Sequence, residues 1–272
     1  MTIDLINNKI NDNDLIIDHF PDGQVNIHLG DIDRKDTYVN IITRLRNGDD
    51  VILLLMVADI VKRNGLIISK LKITYLYAAR MDRIMTFDQP YTLKIIADLI
   101  NLVGAQIVSI ITPHNEYKTA NLIKNCISSN PLADLNSIKD GELIVYPDKG
   151  AKIRFSKGHF PVCCSKVRNP EDNTLSGFKI ESGFISDSTK LIRVYDDLCD
   201  GGGTFIGIKK MLDKECEKIG IKPEFELVVT HLIQASAVCK LMAIGYDRII
   251  TTNSYADWQE NANDRFIVKN VL

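Results

Sequence analysis

A run of acids followed directly by glycines carries the clearest chemistry in this chain. Residues 196–204 read D-D-L-C-D-G-G-G-T, so three carboxylates precede three glycines and a threonine. Consecutive glycines let backbone N–H groups turn inward around an anion, and a helix that follows them adds its positive N-terminal end. Carboxylates accept hydrogen bonds from vicinal sugar hydroxyls and attract magnesium. The combination indicates a sugar phosphate, with acids on the ribose diol and amides on the phosphate.

Calcium and nucleotide loops of the common types fit this stretch less well. A calcium loop needs oxygen ligands at its first, third and fifth positions, and the third position counted from Asp196 is Leu198. A dinucleotide fingerprint or a P-loop needs G-x-G-x-x-G or G-x-x-x-x-G-K, and neither pattern occurs in the loop. The remaining alternative is a tight turn whose acids face solvent.

The elements around this loop predict an α/β protein. Short runs that are apolar on both faces indicate strands of a parallel sheet covered by helices. The predicted strands are V-I-L-L-L-M, K-I-T-Y-L-Y, Q-I-V-S-I-I-T, E-L-I-V-Y-P, P-V-C-C-S-K-V, G-F-K-I-E-S, L-I-R-V-Y, F-E-L-V-V-T and D-R-I-I-T-T. Helical patterns cover residues 56–64, 91–102, 116–125, 205–219 and 233–244. Since L-I-R-V-Y leads into the acids, the loop should lie where ligands of open α/β sheets bind.

The chain divides into two α/β halves of similar design. Residues 130–141 read as a linker, so we expect domains at residues 1–140 and 141–272. The segment H-F-P-D-G-Q-V-N-I-H-L alternates polar and apolar residues around a Pro-Asp-Gly turn, which predicts a hairpin. Gly104 and Gly245 stand where helix ends need a left-handed residue.

Composition excludes several classes of protein. The formal net charge is -2, and lysines and arginines are spread along the chain, so we expect no nucleic-acid partner. The longest apolar run is too short to span a bilayer, so we expect no membrane association. The six cysteines lack the spacing of zinc ligands or of a redox C-x-x-C, which favours reduced thiols in a cytoplasmic protein.

The acid–glycine loop resembles the ribose-phosphate loop of phosphoribosyltransferases and ribose-phosphate pyrophosphokinases. Segments along the rest of the chain resemble the pyrophosphokinases in the order that this family has them. They are H-F-P-D-G-Q-V-N-I, Y-L-Y-A-A-R-M-D-R, I-I-T-P-H-N, V-Y-P-D-K-G-A, C-C-S-K-V-R, V-V-T-H and T-T-N-S. The resemblance implies two phosphoribosyltransferase-like (type I) halves, each a mainly parallel sheet flanked by helices, in dimers that assemble further.

The resemblance also implies an activity and its residues. The family moves the diphosphoryl group of ATP to the anomeric hydroxyl of a 5-phosphorylated ribose and releases AMP. By position in the family's motifs, the catalytic residues are Lys166, Arg168 and His114. The residues implied for ATP are Phe20, Asp22, Gln24, Arg80, Asp82 and His114. Those implied for Mg²⁺ are His114, Asp148 and Asp196, and those for ribose phosphate are Asp196, Asp197, Asp200, Gly201, Gly202, Gly203 and Thr204. Phe20 and Gln24 would complete an adenine site shared between two subunits.

Departures from the family pattern keep the acceptor open. Gly201 stands where the family has Thr or Ser, which removes one hydroxyl donor and adds room. The segment after Arg83, I-M-T-F-D-Q-P-Y-T, lacks the family's basic residues. Ribose 5-phosphate is the favoured acceptor. A larger 5-substituted ribose such as ADP-ribose is one alternative, and a catalytically inactive regulatory homologue is another. A phosphoribosyltransferase that acts on a base is a weaker third.

Overall fold

The structure is a computed structural model, and it describes residues 1–11, 13–30, 37–156, 161–168 and 175–272, without the side chains of residues 168, 175 and 176. The chain forms two compact units. Unit 1 comprises residues 1–129 with Leu272, and unit 2 comprises residues 130–271. Within the described ranges, none of the helices is long and apolar enough to cross a membrane.

Unit 1 is built on one mixed sheet. Its elements are β1 (Thr2–Asp4), β2 (Lys9–Ile10), β3 (Asn13–Asp14), β4 (Ile16–His19), β5 (Val25–His28), β6 (Tyr38–Thr43), α1 (Gly48–Arg63), β7 (Ile67–Ile73), α2 (Thr92–Val103), β8 (Ile107–Ile111), α3 (Glu116–Leu122) and β9 (Cys126–Ser129). The sheet order is β3-β2-β1-β6-β7-β8-β9, and the strands from β1 to β9 along it run parallel. The predicted hairpin is confirmed, because β4 pairs antiparallel with β5.

Unit 2 has a second mainly parallel sheet. Its elements are β10 (Glu142–Tyr146), α4 (Lys149–Phe155), β11 (Val162–Arg168), β12 (Leu175–Ser182), β13 (Leu191–Cys199), α5 (Gly203–Lys218), β14 (Glu224–Leu232), α6 (Ser236–Ala243), β15 (Arg248–Thr252) and β16 (Phe266–Lys269), with 3-10 turns at Ala133–Asn136 and Gln259–Asn261. The sheet order is β12-β11-β10-β13-β14-β15-β16, and only the β11–β12 pair is antiparallel. The predicted α/β class with two such halves is confirmed.

The prediction of a strand at V-I-L-L-L-M was wrong, because these residues lie inside α1. The side chain of Asn47 accepts a hydrogen bond from the Asp50 N–H, and acids fill the first turn while basic residues fill the last. Buried residues recur at helical spacing, at Val51, Leu54 and Val57 among others. A run of apolar residues on every side of a helix shows no helical period in the sequence. The Asn47 cap and the charges at the two helix ends were therefore the signals that indicated a helix.

The bounds of several further elements differ from the predictions. The strand predicted at K-I-T-Y-L-Y is the end of β7, which finishes at Ile73. The helix predicted over residues 116–125 ends at Leu122, and β9 follows it. Positive φ angles at Gly104 and Gly245 confirm the left-handed residues predicted at the helix ends.

The segment after residue 129 packs within unit 2. Leu132 is fully buried against Ile144 and Tyr146. The Tyr195 hydroxyl donates to the Leu132 carbonyl over 2.9 Å, and the Asn130 amide donates to the same hydroxyl over 3.0 Å. These contacts put the division of the two units at residues 129 and 130, about ten residues before the boundary expected from sequence.

Candidate active site

The acid–glycine loop joins β13 to α5 at the carboxyl end of the unit 2 sheet. β13 runs further than L-I-R-V-Y, because its parallel pairing with β14 continues to Leu198–His231 and Cys199–Leu232. Asp196 and Asp197 therefore lie inside the strand, where we had expected them to end it. Successive strand residues face opposite sides of a sheet, so the two carboxylates leave the strand in different directions.

The glycines begin α5 in a form that suits an anion. Gly202 is the residue before the helix, it has a left-handed φ of 84°, and no side chain caps this end. A Cβ at Gly202 would make only ordinary contacts with Leu241 and Ala237 of α6, so the left-handed backbone is what favours glycine. The N–H groups of the first turn, which begins at Gly203 and Thr204, have no partner within the helix. These donors and the helix dipole are suited to an anion such as phosphate.

The two strand acids share one cation from α4. Arg154 Nη1 lies 2.5 Å from Asp197 Oδ1 and 3.5 Å from Asp196 Oδ1. The side chain of Asp197 is 3% exposed and that of Arg154 is 12% exposed, so the pair is largely removed from water. Asp196 also accepts the Asp197 N–H over 2.8 Å. Arg154 thus orients Asp197 most directly and reaches Asp196 more weakly.

The surroundings of Asp196 oppose its negative charge. Burial and the neighbouring Asp197 carboxylate raise the pKa of Asp196 well above its ordinary value, and Arg154 offsets this only in part. A carboxyl group in this state is stabilised by a further positive charge. The site is thus suited to a cation or to hydroxyl donors that arrive with a ligand.

This donor set fits magnesium of the kind held largely by a substrate. Among the residues that the structure describes, no group of three or more His, Cys, Asp or Glu side chains is spaced to hold a metal ion. Mg²⁺ commonly keeps several waters and binds through one or two carboxylates plus substrate phosphates. Asp196, with its raised pKa, is a carboxylate of that kind.

A glutamine covers the first glycine of the loop. Gln234 Nε2 donates to Asp200 Oδ1 over 3.0 Å. A Cβ built on Gly201 would lie 3.9 Å from both the amide nitrogen and the amide oxygen of Gln234. The room that the sequence indicated at Gly201 is therefore lined by this side chain.

The β11–β12 hairpin carries Lys166 on the face of the sheet that α5 covers. Lys166 pairs directly with Phe178, and residues opposite each other in a sheet share a face. Phe178 lies against α5 at Gly207, where any Cβ would collide with its ring. Gly207 is one turn beyond Gly203, so the hairpin holds Lys166 on the side of the sheet that bears the anion site. Arg168 ends β11, and its side chain lies outside the described residues.

Asp148 has a structural contact where the sequence predicted a metal ligand. It stands immediately before α4, and its Oδ1 accepts the Ala151 N–H over 2.9 Å. This is a helix cap, which leaves the second carboxylate oxygen as the atom for any ligand. The cap also fixes the start of the helix that bears Arg154.

In unit 1, Asp82 ties two loops together. It accepts hydrogen bonds from the Asn115 amide over 2.8 Å and lies 3.3 Å from Lys118 Nζ, which also donates to the Asp82 carbonyl. Burial opposes its charge, but these hydrogen bonds and the nearby cations outweigh it and lower the pKa of Asp82. The carboxylate thus joins the loop after β7 to the start of α3. It brings the segment of Arg80 close to the segment of His114.

Two of the predicted ATP contacts, Arg80 and His114, each follow a left-handed residue that is not glycine. Ala78 has φ of 63° and stands two residues before Arg80, while Thr112 has φ of 36° and stands two residues before His114. For a β-branched residue such as Thr112 this backbone is a clear outlier. Such strain is concentrated at functional sites, since the surrounding structure must hold it in place. Arg80 is exposed and His114 is half-buried.

The hairpin of β4 and β5 presents the remaining predicted ATP contacts. Phe20 is 50% exposed at its tip. The Phe20 N–H donates to the Gln24 carbonyl, and Asp22 Oδ1 accepts the Gln24 N–H, so these contacts fix the turn. Phe20, Asp22 and Gln24 all lie at the surface. An exposed aromatic side chain on a formed hairpin is available to a ligand or to another subunit.

Sequence reasoning missed three sets of contact residues. Arg154 lies on a short helix, and its partner Asp197 is distant in sequence, so only the placement of β10 beside β13 brings the two together. Gln234 lies in the turn before α6 and meets Asp200 because β14 neighbours β13. Asn115 and Lys118 brace Asp82 across unit 1. The D-K-G-A-K-I-R segment carried a usable signal for Arg154, an aspartate cap followed by a basic residue.

Comparisons with known proteins give one consistent family. No protein-family model matches the chain. The ribose-phosphate pyrophosphokinase of Mycoplasma genitalium is 27% identical over 222 residues, which cover 77% of this chain and 66% of that protein. The enzyme of the same name from Pyrococcus furiosus is 23% identical over 88% of this chain and 85% of its own length, and that from Thermosipho africanus is 24% identical over 94% and 82%.

A solved structure has the same fold. The crystal structure of phosphoribosylpyrophosphate synthetase from Mycobacterium smegmatis superposes with a TM-score of 0.72 over 94% of this chain and 85% of that one, at 17% identity. Both units are thus present in the common fold. The three curated relatives and the solved structure agree, so the chain is similar in sequence and in fold to ribose-phosphate pyrophosphokinases.

Proposed function

We propose that this protein transfers the diphosphoryl group of ATP to the anomeric hydroxyl of ribose 5-phosphate and releases AMP. The observation that carries the proposal is the β13–α5 junction. Two strand acids, Asp196 and Asp197, stand a few residues from the uncapped first turn of α5. A sugar with neighbouring hydroxyls at one end and a phosphate at the other matches both halves of this junction.

Unit 2 binds the acceptor in this proposal. The first-turn N–H groups of α5 and the Thr204 hydroxyl hold the 5-phosphate, while Asp196 and Asp197 accept hydrogen bonds from the ribose hydroxyls. Arg154 orients Asp197, because its Nη1 lies 2.5 Å from Asp197 Oδ1 in a largely buried pair. Holding the sugar at both ends fixes the position of its anomeric hydroxyl, which accelerates attack through orientation.

Unit 1 supplies the contacts to ATP. Arg80 offers a guanidinium to the phosphates, and His114 faces the same ligand from the neighbouring loop that Asp82 braces. Phe20 and Gln24 contact adenine from the hairpin, in an assembly of two or more copies. Mg²⁺, when bound, would neutralise phosphate charge. Within unit 2 we assign Asp196 and the second oxygen of Asp148 as its candidate ligands, and within unit 1 we assign His114 as another.

The reaction needs positive charge more than it needs covalent chemistry. Attack at the β-phosphorus spreads negative charge over the equatorial oxygens and onto the departing AMP, and catalysis relies on positioning and electrostatic stabilisation. Lys166 is the exposed cation on the face shared with Phe178, so we assign it to the transferring group. Arg168, the last residue of β11, is assigned the same role from its place in the sequence motif.

One contact supports ribose 5-phosphate over a larger acceptor. The Gln234 amide lies 3.9 Å from the position of a Cβ on Gly201 and so takes up part of the room that the missing side chain leaves. The loop thus supports an acceptor that ends at its 5-phosphate.

Product identification tests the proposal. Purified protein is incubated with ATP and magnesium and, in separate reactions, with ribose 5-phosphate, ADP-ribose, ribose or no acceptor, and the products are identified by mass spectrometry. We expect AMP and a diphosphorylated sugar in equal amounts with ribose 5-phosphate alone. Product formed with ADP-ribose and not with ribose 5-phosphate would identify ADP-ribose as the acceptor instead. If AMP forms in none of these reactions, the result contradicts the proposal and favours a regulatory homologue.

A further inference from the structure

The carboxylate beside the anion site has an unexpected partner in Gln234. Asp200 directly precedes the three glycines, so its charge would repel a bound phosphate. A carboxylate only accepts hydrogen bonds, so the amide group of Gln234 must turn its nitrogen toward Asp200. That nitrogen carries a second N–H group. It lies over Gly201, whose built Cβ would be 3.9 Å away.

The position of Gln234 is fixed by the turn from β14 into α6. The Ile233 N–H donates to the Cys199 carbonyl at the end of β13 over 2.9 Å, and the Ala237 N–H donates to the Gln234 carbonyl over 3.1 Å. Ala237 in turn lies 3.6 Å from the position of a Cβ on Gly202, in ordinary van der Waals contact. These contacts bind the turn to the glycine loop on both sides of Gln234. Its exposed side chain therefore reaches the loop from a fixed base.

We propose that Gln234 is a specificity residue of the sugar-phosphate site, which turns Asp200 aside with one N–H and donates the other to the 5-phosphate. The inference rests on the proposed function, because it names a donor in the acceptor site. Gly201 offers no side-chain donor, and the amide supplies one at the same place.

The conformation of Gly201 makes a rescue experiment possible. Gly202 has a left-handed φ, whereas Gly201 does not, and a Cβ at Gly201 would make only ordinary contacts. A serine at this position is therefore compatible with the backbone. Its hydroxyl would stand where the Gln234 amide lies. Gly201→Ser should replace the donor that Gln234→Leu removes.

The test measures steady-state kinetics of Gln234→Leu, Gly201→Ser with Gln234→Leu, and the control Gln259→Leu, an exposed glutamine of the same unit. For Gln234→Leu we expect KM for ribose 5-phosphate to rise about tenfold or more, since the lost hydrogen bond is to a charged group. KM for ATP, kcat and the unfolding temperature should stay unchanged, as for loss of uniform binding. The double variant should return to within about threefold of the wild-type KM, and Gln259→Leu should match wild type.

Two results would overturn this role of Gln234. One is an unchanged KM for ribose 5-phosphate in Gln234→Leu, and the other is failure of Gly201→Ser to restore it. Calorimetric titration of ribose 5-phosphate onto the same proteins separates this inference from the proposed function. Wild-type protein that binds the sugar phosphate but releases no AMP would refute the transfer reaction, while the binding series still tests Gln234. If the wild-type protein neither binds ribose 5-phosphate nor releases AMP, the proposed function and the role of Gln234 are both refuted.

Discussion

The two units treat an aspartate near the carboxyl ends of their strands in opposite ways. In unit 1, hydrogen bonds from Asn115 and Lys118 overcome burial and lower the pKa of Asp82. In unit 2, burial and Asp197 raise the pKa of Asp196, and a single shared arginine does not compensate. A buried carboxylate with enough hydrogen-bond and cation partners stabilises the fold. One whose charge is not fully compensated is suited to bind a ligand that brings positive charge or donors. On this contrast we propose that Asp82 is a brace and Asp196 a binding group.

The largest expected effect comes from removing the cation that the unit 2 acids share. Arg154→Met leaves two neighbouring carboxylates in a largely buried site without their partner. We expect the free energy of unfolding to fall by about 3–5 kcal/mol, the usual cost of breaking a buried pair. Urea denaturation measures it. Arg63→Met, which removes an exposed pair with Asp59, is the control and should cost at most about 1 kcal/mol. Equal losses in the two variants would contradict the special status of Arg154.

Asp196→Asn should separate activity from stability. Transfer activity should fall about a hundredfold or more, as for other groups that act on charge in a transition state. The stability of the folded protein should instead increase at a pH where Asp196 would be ionised. Because the folded-state pKa is raised, the folded state disfavours the ionised form, and the favourable contribution of protonated Asp196 is lost as pH rises through that pKa. The variant should therefore unfold at a higher temperature than wild type at pH 8, and the difference should vanish near pH 4. A destabilised variant at pH 8 would show that Asp196 is a brace like Asp82.

Gly207→Ala tests how the hairpin carries Lys166. An added methyl group collides with the Phe178 ring, and we expect the displaced ring to shift β12 and with it Lys166, the residue opposite Phe178. A displacement of about 1 Å costs about a hundredfold in kcat. Gly177→Ala is the matched control on the same hairpin, because a Cβ there meets nothing within 4 Å. Adding Phe178→Leu to Gly207→Ala should recover part of the loss. Full activity in Gly207→Ala would remove the proposed link between α5 and Lys166.

The smallest expected effect is that of Asp82→Asn, and it should run opposite to Asp196→Asn. A lowered folded-state pKa gives stability that is present above the unfolded-state pKa and is lost as pH falls through the folded-state pKa. The variant should lose about 1–2 kcal/mol of unfolding free energy at pH 7, as expected for hydrogen bonds to a charged group. The loss should disappear as both proteins approach pH 3. Asp59→Asn, in an exposed pair with Arg63, should show almost no change at either pH.

The sequence predicted the parts of the molecule that depend on neighbours in the chain. The hairpin around Pro21, the strands flanked by turns, and the helix after the glycines all have local signals. The sequence could not predict α1 from its period, because its residues are apolar on every side. Arg154 and Gln234 were missed for a different reason. Their contacts to Asp197 and Asp200 depend on which strands lie next to β13, and a single sequence gives no direct signal of strand order.

Phosphorus NMR of a single reaction tests the proposed transfer most directly. Wild-type protein is mixed with ATP, magnesium and ribose 5-phosphate, and the ³¹P spectrum is followed as ATP is consumed. We expect the β- and γ-phosphorus signals of ATP to be replaced by two coupled signals of a diphosphate on the sugar, with AMP at equal concentration. Formation of ADP and free phosphate, or no consumption of ATP that depends on the sugar, would contradict diphosphoryl transfer to ribose 5-phosphate.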